Sequence, residues 1–192
     1  MKFFPAEVNG GVPALKALAG PYGSMRFVPT GGIGPPNLTS YLSQPNVLAC
    51  GGSWLAPKDL VAQGRFDEIR EICRRSSYAM HGFELAHVGI NCDDAAEAKE
   101  VATSFATLFG LPVYDKGGGC FASDMVDVVK GRLLGERGHI GVSCVDVDRA
   151  KAWFERRGYR FVEKGVNRDE RGYTSVFLEG EVGGFAVRLR RR

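Results

Sequence analysis

The sequence predicts two fold classes in one chain, an α/β segment followed by an α+β unit. Three observations carry this reading. In residues 1–77, short apolar runs stop at glycine-rich loops and give way to helical stretches. Residues 83–190 contain an internal repeat, with His87-Val88-Gly89-Ile90-Asn91-Cys92 answered by His139-Ile140-Gly141-Val142-Ser143-Cys144 at an offset of 52. Within each copy one helical stretch lies among several short runs of strand character.

The first run, Lys2-Phe3-Phe4, ends at Pro5 and turns through Asn9-Gly10-Gly11 into an amphipathic stretch at 13–19. The second, Arg26-Phe27-Val28-Pro29, stops at Thr30-Gly31-Gly32 before a helix over 37–43. The third, Val47-Leu48-Ala49-Cys50, stops at Gly51-Gly52-Ser53. Beyond Pro57 and Gly64, residues 65–75 place Phe66, Ile69, Ile72 and Cys73 on one helical face. Three such units argue for parallel βα architecture, whose ligands sit at the loops following the strands. Two adjacent glycine loops with the hydroxyls of Thr30 and Ser53 would make a phosphate cradle, because glycine lets an anion approach backbone N–H groups. Each loop alone reads better as a tight turn; the two together, downstream of the lysine strand, favour phosphate binding.

The segments KFFPAE, RFVPTGGI and VLACGGSWLAP resemble, in order, the last three strands of the class I aldolases that cleave 2-keto-3-deoxy-6-phosphogluconate (KDPG) or 4-hydroxy-2-oxoglutarate (KHG). The resemblance covers about residues 1–76. It implies βα units six to eight of a (β/α)8 TIM barrel and carbon–carbon lyase chemistry releasing pyruvate and an aldehyde, with no cofactor. On this match Lys2 is the Schiff-base lysine, and Thr30, Gly31, Gly32, Gly52 and Ser53 bind phosphate. In that family a glutamate on an early strand acts as base and an early arginine helps hold the substrate carboxylate. Neither is among the residues here, so the chain is expected to be truncated and inactive alone.

The repeat extends through Ala98-Lys99 and Ala150-Lys151. Each copy reads as strand, helix (95–109 and 147–157), glycine (Gly110 and Gly158), then three strands. This paired βαβββ pattern over 83–190 resembles the glyoxalase and dioxygenase fold of the vicinal oxygen chelate superfamily. The resemblance places His87, His139 and Asp127 at metal-ligand positions and Arg188 at the fourth. A guanidinium cannot ligate a cation, so a metal is not expected, and Arg188 is expected to form a bidentate pair with Asp127. Glu179 and Glu181 are the compensating carboxylates. Residues 78–82 read as a linker with His81 exposed. Two further functions fit this half: a small-molecule-binding module without catalysis, or a metal-dependent glyoxalase or epimerase.

Composition narrows the classes. The net charge of +3 over 192 residues does not argue for nucleic acid, and no apolar run approaches the ~20 residues of a membrane span. The five cysteines form no CxxC, which suggests free thiols in a reducing cytoplasm. The expected partner is a small 2-keto acid, with homo-oligomerisation left open.

Overall fold

The computed structural model describes residues 1–192. They divide into two compact units, Met1–Gly82 and Phe83–Arg192.

In the first unit, β1 (Lys2–Phe3) pairs in parallel with β2 (Val28–Pro29), with Lys2 opposite Val28. A third pass lies beside the second through single parallel bridges, Phe27 to Val47 and Thr30 to Gly51. The expected third strand is thus reduced to two contacts, with Leu48 between them 67% exposed. Four helices accompany these passes: α1 (Gly11–Ala19), α2 (Leu38–Leu42), α3 (Lys58–Ala62) and α4 (Phe66–Ala79). Sequence reasoning did not foresee α3. Leu15, Phe27, Ile33, Leu38, Tyr41, Leu42 and Val47 form the buried interior, and the buried Asn46 amide donates to the Leu15 carbonyl at 2.8 Å.

Helix α4 departs from its amphipathic reading. Phe66 is 61% exposed, and only Ser76 is buried. Local electrostatics support the helix instead: Asp67 and Glu68 sit in its first turn, and Glu71 pairs with Arg74 at 2.7 Å and Arg75 at 2.9 Å. The helix also runs to Ala79, through the predicted linker. His81, expected to be exposed, is only 1% accessible; it lies in a tight turn closed by backbone bonds from His81 to Tyr78 and Gly82 to Ala79.

The second unit is one eight-stranded sheet flanked by two helices. The first repeat supplies β3 (Glu84–Cys92), α5 (Ala95–Phe109), β4 (Val113–Asp115), β5 (Gly119–Ala122) and β6 (Val126–Lys130). The second supplies β7 (Gly138–Cys144), α6 (Val147–Glu155), β8 (Phe161–Asp169), β9 (Gly172–Val182) and β10 (Phe185–Arg191). The strand order is β4-β5-β6-β3-β7-β10-β9-β8. Each repeat pairs its first strand in parallel with its last, and β3 meets β7 antiparallel at the centre.

Several repeated residues have structural explanations. Asp94 and Asp146 cap α5 and α6, accepting from backbone N–H groups at 2.8–2.9 Å. Cys92 and Ala98 pack with Val128 in one core, while Cys144 and Ala150 pack with Leu189 in the other. Gly110 ends α5 at φ 65°, a left-handed position that favours glycine. All five cysteines are free thiols, and no helix is long and apolar enough to cross a membrane.

Candidate functional site

In the first unit, parallel pairing orders the candidate residues. Lys2 lies on the outer strand, exposed, with its Nζ 5.0 Å from the Phe4 ring centroid. The Thr30 N–H donates to the Phe3 carbonyl at 3.0 Å, and the bridge from Thr30 to Gly51 sets the two glycine loops side by side. The Thr30 hydroxyl is buried without a hydrogen-bond partner. Ser53 opens a short 3-10 turn, Ser53–Leu55, and is exposed.

The loop glycines are also occupied locally. Gly32 has φ 80°, and a Cβ there would lie 2.5 Å from Glu7 Cγ. A Cβ on Gly52 would lie 1.9 Å from the Trp54 ring. Packing alone therefore requires both glycines. The Glu7 carboxylate accepts from the buried Tyr41 hydroxyl, and burial followed by this carboxylate raises the Tyr41 pKa.

In the second unit, register builds a symmetric site. One row across the sheet reads Phe121, Asp127, Gly89, His139; its counterpart reads Phe177, Arg188, Gly141, His87. The rows differ in residue type only where Asp127 answers Arg188. Each imidazole occupies the space left by the other repeat's glycine. A Cβ on Gly89 would lie 2.0 Å from His139 Cε1, and one on Gly141 2.2 Å from His87 Cε1. The His-x-Gly spacing is therefore reciprocal packing across an antiparallel pair.

The two Nε2 atoms are 3.0 Å apart. One imidazole must donate and the other accept, because burial holds both pKa values down to about 4. Both Nδ1 atoms are buried without partners. Asp127 Oδ2 lies 3.8 Å from His139 Nε2, and burial pushes the Asp127 carboxyl up.

Arg188 does not form the expected pair with Asp127. The strands carrying them are separated by β3 and β7, so three strand spacings of about 4.8 Å intervene. Its Nη2 donates instead to Ser175 Oγ at 3.0 Å, and its guanidinium lies 5.4 Å from the Phe177 ring centroid. Side-chain ligand atoms of His87, Asp127 and His139 all lie within 4.8 Å of one another. That donor set suits a divalent ion in type, but the fourth position presents a cation.

The KDPG and KHG aldolase family matches residues 1–72. The 2-dehydro-3-deoxy-phosphogluconate aldolase of Pseudoalteromonas atlantica is 55% identical over 75 residues, which are 39% of this chain and 35% of that protein. The first unit is similar in sequence to these aldolases. The chain spans about a third of the length of the curated relatives it matches. The same segment also resembles the KDPG aldolase of Legionella pneumophila, solved with pyruvate captured as a covalent carbinolamine; identity is 44% over 38% of this chain and 35% of that one, with a TM-score of 0.37. A second solved structure, methylmalonyl-CoA epimerase from Streptomyces coelicolor, covers 56% of this chain and 93% of its own, at 18% identity and a TM-score of 0.40.

Sequence reasoning on the aldolase segment named Lys2 and the glycine loops but not the Glu7–Tyr41 contact, which joins residues 34 apart. In the second unit it missed Ser175, Asn167 and Phe177, which stand beside Arg188 only once β8, β9 and β10 are in register. The Phe121 and Phe177 pairings could have been found by extending the repeat to its third and fourth strands.

Proposed function

We propose that residues 1–82 supply the Schiff-base lysine and phosphate loops of a class I aldolase acting on 2-keto-3-deoxy-6-phosphogluconate or 4-hydroxy-2-oxoglutarate. The 55% identity spanning these motifs carries the reading, and the three parallel passes are consistent with a segment of a (β/α)8 barrel. In this chemistry the Lys2 amine adds to the keto carbon and water leaves, giving an iminium. A base takes the C4 hydroxyl proton, the C3–C4 bond breaks with its electron pair moving into an enamine, and the aldehyde departs. Protonation at C3 and hydrolysis return pyruvate and the free amine. Thr30, Gly31, Gly32, Gly52 and Ser53 hold the phosphate.

The exposure of Lys2 limits this chemistry, because little on the outer strand holds a bound keto acid against its amine. Pyruvate with borohydride tests the assignment. We expect a reduced adduct at low occupancy on the peptide containing Lys2, lost in Lys2→Ala. Labelling confined to Lys16 or Lys58 would defeat it.

For the second unit we propose that no catalytic metal is held at His87, Asp127 and His139, because Arg188 places positive charge where a fourth ligand would stand.

A further inference from the structure

The cleft of the second unit has a volume of about 310 Å³, at the small end of ligand pockets. Lys116, Arg188, Arg190 and Arg191 line it, with Asp124 and Asp127. Two of these cations already have partners: Lys116 faces Asp124 at 3.7 Å, and Arg191 binds Asp169 at 2.8 and 3.1 Å. Arg188 and Arg190 make no ion pair, and the strand's two-residue period puts them on one face of β10.

The polar groups around Arg188 are unevenly matched. Ser175, 3% accessible, accepts from Arg188 Nη2 at 3.0 Å and from Asn167 Nδ2 at 2.9 Å. The Asn167 amide nitrogen is also within 3.4 Å of the Gly165 carbonyl, which fixes it as a donor. With both Ser175 lone pairs engaged, its O–H remains to donate and meets no protein acceptor. Arg188 Nε is sealed from solvent, also without an acceptor. The Ser175 hydroxyl and Arg188 Nε therefore stand together without a protein acceptor, beside a half-buried guanidinium that has no counter-charge within ion-pair distance. A buried charge and unmet donors are costly when left unpaired.

We propose that this cleft is a binding site for a small carboxylate, seated on the Arg188 guanidinium and the Ser175 hydroxyl. A carboxylate offers two coplanar oxygens, which fit the planar guanidinium fork and the adjacent hydroxyl. Arg190 adds attraction at the mouth, the Phe121 ring gives an apolar wall, and Asp127 opposes the ligand's charge.

Calorimetric titration of the full chain with benzoate, benzamide and inorganic phosphate tests the assignment. Benzoate should bind at least tenfold more tightly than its uncharged amide and than phosphate. Arg188→Met should abolish benzoate binding, Ser175→Ala should weaken it about tenfold, and Asp127→Asn should strengthen it. If circular dichroism shows that Arg188→Met does not fold, Arg188→Lys replaces it; charge without the fork should cost about tenfold. Absence of benzoate binding at millimolar concentration would overturn the proposal, as would equal binding of benzamide. So would tighter binding of phosphate, or wild-type affinity in both the Ser175→Ala and Arg188→Lys variants.

Discussion

The substitution Gly89→Ala isolates the reciprocal packing of the two histidines. Gly89 does not have a positive φ, so alanine meets no backbone objection and the cost is steric. The new Cβ would lie 2.0 Å from His139 Cε1 and 2.1 Å from Nδ1, whereas carbon contacts settle near about 3.5–4.0 Å. The ring would have to retreat by about 1.5 Å on that scale. It has little room, being fully buried, 5.5 Å from the Phe177 ring centroid and hydrogen-bonded to His87 at 3.0 Å. Overpacking of this kind costs about 1–3 kcal/mol, and losing the bond between the imidazoles adds about 0.5–1.5 kcal/mol. The sum, about 1.5–4.5 kcal/mol, should lower the urea midpoint of this unit by about 0.5 M or more. Unfolding should be followed by the ring resonances of His87 and His139, which belong to this unit alone. In the pair Gly89→Ala with His139→Ala, the added methyl should no longer be resisted, giving a coupling of about 1–3 kcal/mol. A Gly89→Ala chain that melts at the wild-type midpoint, or strictly additive effects in the double variant, would refute the reasoning.

Acid should destabilise the second unit in a defined window. Burial holds the folded-state pKa values of His87 and His139 down to about 4, below the roughly 6.5 of a solvated imidazole. The unfolded chain therefore binds more protons between these values, and stability should fall as pH drops from about 6.5 towards about 4. Asp127 is shifted upward and works with the opposite sign, so Asp127→Asn should steepen the decline; urea midpoints at pH 7 and pH 5 measure both. For metal, Arg188→Glu should complete a set of two histidines and two carboxylates and bind Zn²⁺, Mn²⁺ or Ni²⁺. Calorimetry should show no tight stoichiometric binding in the wild type, and the proposal fails if such binding appears and depends on both His87 and His139.

Much of the second unit was legible in its sequence because its repeat is exact where geometry is demanding. The caps Asp94 and Asp146, the core pairs Cys92–Ala98 and Cys144–Ala150, and the His-x-Gly motifs recur at one offset and take equivalent places. The first unit was less transparent. An apolar run such as Val47 to Cys50 predicts a strand, but a strand needs neighbours, and here it has one neighbour at two bridges. The apolar face of α4 had the right period, yet burial depends on what packs against it, and Phe66 stays exposed. In the cleft, sequence reasoning found Arg188 but assigned it the wrong partner, because long side chains choose among neighbours that only strand register reveals.

The near-symmetry of the second unit makes its one charge exchange consequential. Two repeats built from the same Phe, Gly and His rows would present a cavity with interchangeable ends, and a bound molecule could enter either way round. With Asp127 at one end and Arg188 at the other, the ends are no longer equivalent. Matched rows that differ in one opposed pair of charges give the frame a compass direction, and a ligand with unlike termini has one preferred heading within it.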